Sequence, residues 1–242
     1  MPKLKREFLC SVLLGTMAML LILVAAAHAL PSLQLGPGND GTWTYNPSSE
    51  TWIVEENSFE LNAYANAIDG SGKYASGSSL DASQTAYLVA AAVPTTANNT
   101  DVFEITVQND GSALTLASNG YGAPPLTDSN ALAPHGIYKT YFEIYQFSFD
   151  GSKGTIHDTR PGESGSGSGY TKIFDITINS LADGVDGIHF DLFTMSSDGQ
   201  VIAFAPFSHD AETAPVPEPA TMILLGTGLI GLAGFGRKFL NK

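Results

Sequence analysis

Apolar and polar residues alternate in steps of two along much of the chain. Between residues 58 and 65, Phe59, Leu61, Ala63 and Ala65 fall on one side. Residues 102–107 set Phe103, Ile105 and Val107 against Glu104 and Thr106. Residues 173–178 set Phe174, Ile176 and Ile178 against Asp175 and Thr177, and Ile188, Phe190 and Leu192 oppose His189 and Asp191. Side chains leave a strand on alternate faces, so each run predicts a half-buried strand. Residues 137–149 form a longer aromatic run with Tyr141, Tyr145, Phe147 and Phe149 in step. Residues 86–93 are a short apolar run ended by Pro94, and their alanines weaken the strand signal. Residues 201–205 read as the last strand. Residues 42–45 and 51–54 flank a turn-rich connector, 46–50, and predict a hairpin. No stretch between the two ends carries a long helical period. Eight to ten short strands broken by Gly, Asn, Asp and Pro predict an all-β fold, an antiparallel β-sandwich of jelly-roll type. The Gly/Ser-rich stretches 69–79 and 162–170 read as mobile surface loops.

Both ends break this pattern. Lys3, Lys5 and Arg6 precede an apolar run from Phe8 to Ala27. Ala27-His28-Ala29 then offers a small-x-small cleavage site, with Leu30 as the first mature residue. This is the layout of a secretory signal peptide over residues 1–29. At the other end, Val216-Pro217-Glu218-Pro219 leads into an uncharged span, 220–236, and then into Arg237, Lys238 and Lys242. A helix over that span covers about 26 Å, close to a ~30 Å hydrocarbon core, so it predicts a transmembrane helix. The basic tip is expected on the cytoplasmic side. Pro217 and Pro219 keep the approach extended and stop the helix from growing backwards. The resulting division is a signal peptide (1–29), a β-sandwich (30–213) and an anchor segment (214–242).

Pro217-Glu218-Pro219, the apolar span and the basic tip, in that order, resemble the PEP-CTERM sorting signal of Gram-negative bacteria. The same kind of segment is also called the ice-binding protein C-terminal domain. The resemblance implies that a membrane-embedded exosortase reads the tripeptide, removes the helix and passes the protein to the cell surface or the exopolysaccharide matrix. The translocon and signal peptidase would act before it, and the inner-membrane anchor would be transient. Residues 86–94 (AYLVAAAVP), 133–149 (APHGIYKTYFEIYQFSF), 187–193 (GIHFDLF) and 204–211 (FAPFSHDA) resemble the choice-of-anchor N family. That likeness implies an exported protein with an interchangeable tail. It carries no activity over to any residue.

Charge narrows the partners. Between the two end segments, five bases, Lys73, Lys139, Lys153, Arg160 and Lys172, face 22 of the chain's 24 acids, a formal charge of −17. Nucleic-acid binding needs basic patches that displace counterions, so it is excluded as a function. Cys10, the one cysteine, lies in the signal peptide. The mature fold therefore relies on no disulfide or thiolate metal site.

Candidate chemistry is sparse. Four histidines survive maturation: His135, His157, His189 and His209. Three neighbour acids, as His157-Asp158, His189-Phe190-Asp191 and His209-Asp210, a pairing able to orient a base or a metal. None has His-Glu-x-x-His spacing. Pro206-Phe207-Ser208-His209-Asp210 holds the residue types of a hydrolase triad. Neighbours on an extended chain point to opposite sides, so the segment reads as a structural cap. Asp183, Asp186 and Asp198 sit in Gly-rich turns, too few for calcium without partners elsewhere. Trp43, Tyr45, Trp52, Tyr138, Tyr141 and Tyr145 offer stacking surfaces for sugars. Gly162-Glu163-Ser164-Gly165 lacks the strand–Ser–helix setting of a nucleophile elbow. The reading is a non-enzymatic surface or matrix protein with no catalytic residue, no cofactor and no assigned metal ligand. Structural calcium and an exopolysaccharide- or calcium-binding module are the alternatives, and a secreted hydrolase stands behind them.

Overall fold

The computed structural model describes residues 30, 32–66, 85–94, 102–122, 140–150, 152–195, 201–214 and 227. In chain order the first strands are β1 (Leu33–Pro37), β2 (Trp43–Asn46), β3 (Thr51–Val54), β4 (Ser58–Asn66) and β5 (Thr85–Val93). Next come β6 (Phe103–Asn109), β7 (Ser112–Ala113), β8 (Thr115–Gly122), β9 (Thr140–Ser148) and β10 (Gly154–His157). The last are β11 (Ser166–Leu181), β12 (Gly187–Met195), β13 (Val201–Phe204) and β14 (Ala211–Thr213). A 3₁₀ turn, Phe207–His209, separates β13 from β14.

The strands form two sheets. A six-stranded sheet runs β1-β4-β11-β6-β7, with β10 also on β11. An eight-stranded sheet runs β2-β3-β14-β12-β5-β9-β8, with β13 also on β12. The fold is the expected all-β sandwich, and its core lies where the period-two faces point. Phe59, Leu61, Phe174 and Ile176 of the first sheet meet Leu88, Ala90, Ile188, Phe190 and Leu192 of the second in one buried cluster. Two edge-on aromatic pairs cross between the sheets: Phe59–Phe190 with centroids 6.0 Å apart and Phe147–Phe174 at 4.9 Å. Register explains the alanines of β5. Phe190 lies opposite Ala90 and Ile188 opposite Ala92, so small residues make room for large neighbours on β12.

Four features depart from the sequence reading. The described residues form fourteen strands rather than eight to ten. The sandwich is not wholly antiparallel, because β14 runs parallel to β3. Strands β5, β9 and β12 are buried on both faces, with Val89, Ala91, Phe142, Ile144 and Phe193 forming a second apolar cluster on the outer side. Finally, residues 166–170 of the supposed loop 162–170 belong to β11, paired with β10 and β4. Glycine permits that pairing, since a Cβ on Gly169 would sit 2.3 Å from the Ala65 carbonyl oxygen. The other supposed loop, 69–79, lies outside the described residues. So do the signal helix, 1–29, and the span 220–236 except Thr227. Among the described residues no helix is long and apolar enough to cross a membrane.

Candidate functional site

Strand β12 puts Ile188, Phe190 and Leu192 into the core, so His189 and Asp191 project from the opposite face. Across the ladder, His189 pairs with Glu212 and Phe190 with Ala211 on β14. Continuing the register brings Asp210 beside Asp191. Two strands therefore present His-x-Asp and Asp-x-Glu from one face. The His189 ring collects them: its Nε2 is 3.2 Å from Asp210 Oδ2 and 3.6 Å from Asp191 Oδ1. Its Nδ1 is 3.2 Å from Glu212 Oε2. The side chains of His189, Asp191 and Asp210 are 2–5 % exposed, and that of Glu212 is 27 % exposed. Burial opposes charge on the imidazole. The Asp191 charge and the hydrogen bonds to Asp191, Asp210 and Glu212 outweigh it and raise the His189 pKa well above its ordinary value.

A second chain runs alongside. The 3₁₀ turn rotates Ser208 toward its neighbour, so Ser208 Oγ lies 2.8 Å from His209 Nδ1. His209 Nε2 lies 3.1 Å from Asp158 Oδ1, which also accepts the Arg160 backbone N–H. This corrects the argument that Ser208 and His209 cannot bond in series. A turn, unlike an extended strand, does not send consecutive side chains to opposite faces, and the acid is Asp158 rather than Asp210. Ser208 and His209 are 8 % and 3 % exposed. Burial lowers the His209 pKa against the opposing pull of Asp158. The corner around Asp158 is tied down further. Trp52 Nε1 donates to the Thr159 carbonyl, Thr159 Oγ1 to that of Leu35, and Gln34 Nε2 to that of His157. The Ser208–His209–Asp158 chain thus works as an internal tie between the 3₁₀ turn and the segment after β10.

The remaining candidates separate. His157 is exposed at the end of β10, and His135 and Tyr138 lie outside the described residues. Asp183 and Asp186 occupy the turn after β11, and Asp198 is outside the described residues. Among the described residues the one set of three or more donors close enough for a single ion is His189, Asp191 and Asp210. Trp43 packs edge-on against Phe59 and Tyr45 against Trp52, all on or near the core. Tyr141 and Tyr145 are buried, and both hydroxyls donate to Glu143. These three line an open groove of about 460 Å³ with Phe103, Ile105 and Leu116. Burial and the Glu143 hydrogen bond raise the Tyr145 pKa.

Of the end segments, Leu30 is described and buried, its carbonyl accepting from Asn66 Nδ2 at 3.4 Å. Ala27 and Ala29 are outside the described residues, as are Pro217, Glu218, Pro219, Arg237, Lys238 and Lys242. Here comparison decides. Residues 215–238 match the PEP-CTERM protein-sorting motif. The tail is a PEP-CTERM sorting segment. Its match takes in Pro217, Glu218, Pro219, Arg237 and Lys238 and stops before Lys242. A PEP-CTERM tail marks an exported protein that an exosortase sorts. No curated protein matches this chain. Several solved structures share a distant likeness, three of them as follows. The DNA-binding domain of C. elegans Cep-1 has 9 % identity and a TM-score of 0.36 over 78 % of this chain and 92 % of that one. AvmM, which catalyses macrocyclization in alchivemycin A biosynthesis, has 8 % identity and a TM-score of 0.34 over 76 % and 98 %. An immunoglobulin-like protein from Nocardia farcinica has 12 % identity and a TM-score of 0.24 over 72 % and 98 %. Likenesses this remote bear on no residue of the site.

Proposed function

We propose that this is a non-enzymatic, exported envelope or matrix protein, whose β-sandwich is the delivered cargo and whose PEP-CTERM tail is the delivery device. The observation that carries the reading is the match over residues 215–238. Signal peptidase cuts after Ala29, and the exosortase then acts near Pro217-Glu218-Pro219 while Arg237, Lys238 and Lys242 hold the anchor's cytoplasmic end. The interior supports a passive role for both histidine groups. His209 and Ser208 are buried in an internal tie, and His189 is enclosed by carboxylates. In the native host, deleting residues 215–242 is expected to release the protein into the medium or abolish surface display. Unchanged surface retention would refute the reading.

A second reading, an exopolysaccharide-binding module, is favoured by the groove beside Glu143. Two tyrosine hydroxyls, the carboxylates of Glu143 and Glu104, and the apolar side chains of Phe103, Ile105 and Leu116 are the components of a sugar subsite. Retention on host polysaccharide that falls at least tenfold in Glu143→Gln supports it, and equal or absent retention removes it.

A further inference from the structure

We propose that His189, Asp191 and Asp210 hold one divalent transition cation of the zinc type, which clamps β14 to β12. The donors converge as a metal site requires, with all three ligand atoms within 4.8 Å of one another. Two donors on a tetrahedral ion with bonds of about 2.0–2.1 Å stand about 3.3 Å apart. The imidazole-to-carboxylate distances of 3.2 and 3.6 Å bracket that edge. The far side of the ring is fixed as well. Glu212 takes His189 Nδ1 and leaves Nε2 facing the two aspartates, the arrangement by which carboxylates orient metal-bound histidines.

Donor chemistry selects the ion. Calcium and magnesium favour sets made of oxygen alone, whereas one imidazole nitrogen with two carboxylates suits a borderline cation such as zinc. Charge favours the same answer. Three carboxylates and one imidazole carry at most one positive charge among themselves, and a dication offsets more of that buried negative charge than a proton does. The strands supply preorganisation, because His189 and Asp191 come from β12 and Asp210 lies directly before Ala211, the β14 partner of Phe190.

The role follows from position. The direct ladder between β12 and β14 is two residue pairs long. A cation bound across it adds a cross-link at the last strand before the PEP-CTERM tail. This makes the ion structural and leaves the sorting reading independent of it.

The test uses the full-length, tag-free chain in detergent, stripped with chelator and dialysed separately against zinc, manganese or calcium. Expected are about one zinc per chain by mass spectrometry of the metal and a melting temperature higher in zinc than in chelator. Asp191→Asn and Asp210→Asn are expected to cut zinc affinity at least tenfold. X-ray absorption of the zinc-loaded wild type is expected to show one imidazole in the first shell. That measurement decides the question even where the variants fail to fold. Folded wild type that retains less than about a tenth of an equivalent overturns the proposal. So do calcium binding without zinc, a first shell with two or more imidazoles, or folded variants with wild-type affinity.

Discussion

Replacing Gly187 with alanine should cost this protein much more than a methyl group's volume implies. Gly187 opens β12, and β14 passes close against it. A Cβ built there would lie 2.0 Å from the Thr213 carbonyl oxygen and 3.0 Å from Thr213 Oγ1, where ordinary contact is 3.4–4 Å. The nearer obstacle is backbone, so relief requires moving β14 by more than 1 Å. That strand end holds two further bonds: Ile188 N–H donates to Thr213 Oγ1 at 2.8 Å, and Ala214 N–H to the Val54 carbonyl at 2.9 Å. Overpacking costs about 1–3 kcal/mol, and stranding the buried Ile188 N–H adds about 1–3 kcal/mol. Against this, removing a glycine from a strand returns about 0.5–1 kcal/mol of backbone entropy. The net expectation is a loss of about 1–5 kcal/mol, read as a lower urea midpoint with an unchanged slope. A variant as stable as wild type, or more stable, would show that entropy dominates and that β14 does not pack where the structure places it.

Further outcomes test the core, the internal tie and the surface. Phe190→Ala removes a fully buried ring packed edge-on against Phe59 and should lose about 3–5 kcal/mol in the same urea assay. Asp158→Ala strips the partner from buried His209 and from the Arg160 N–H, and should lose about 1–3 kcal/mol by thermal and urea unfolding. Lys172→Gln breaks an ion pair in which the acid, Asp150, is 68 % exposed and the lysine side chain 13 %; with the acid in water, the change should shift stability by less than about 1 kcal/mol. A large loss there would contradict the weak worth assigned to surface pairs.

Strands β4, β11 and β12 are legible because each sends one regular apolar face into the core, although β12 is buried on its other face as well. Phe59-x-Leu61, Phe174-x-Ile176-x-Ile178 and Ile188-x-Phe190-x-Leu192 all point into the core. The start of β11 was not legible. Ser166 to Tyr170 has the composition of a linker, and it is strand because β4 and β10 on either side complete its hydrogen bonds. The three residues of β14 are likewise too few to alternate visibly, and their place is set by β3 and β12. That omission hid half of the buried histidine cluster. His189-x-Asp191 stands out on β12, and Asp210-x-Glu212 is the same period-two signal on the neighbouring strand. The acid of the second chain, Asp158, neighbours His157 in sequence, yet only the folded corner brings it to His209. The PEP-CTERM tail was readable because sorting enzymes recognise a linear order of residues.

The pairing of β14 also dictates a chronology. In the eight-stranded sheet the β2–β3 hairpin reaches β12 through β14, so a ribbon made near the start of synthesis waits for one made near its end. Contacts so remote in sequence form late and carry a large closure penalty. A polypeptide whose C-terminal part is not yet made lacks this keystone, and its early hairpin has no seat. Completion of the sheet therefore waits for the segment that directly precedes the sorting tail.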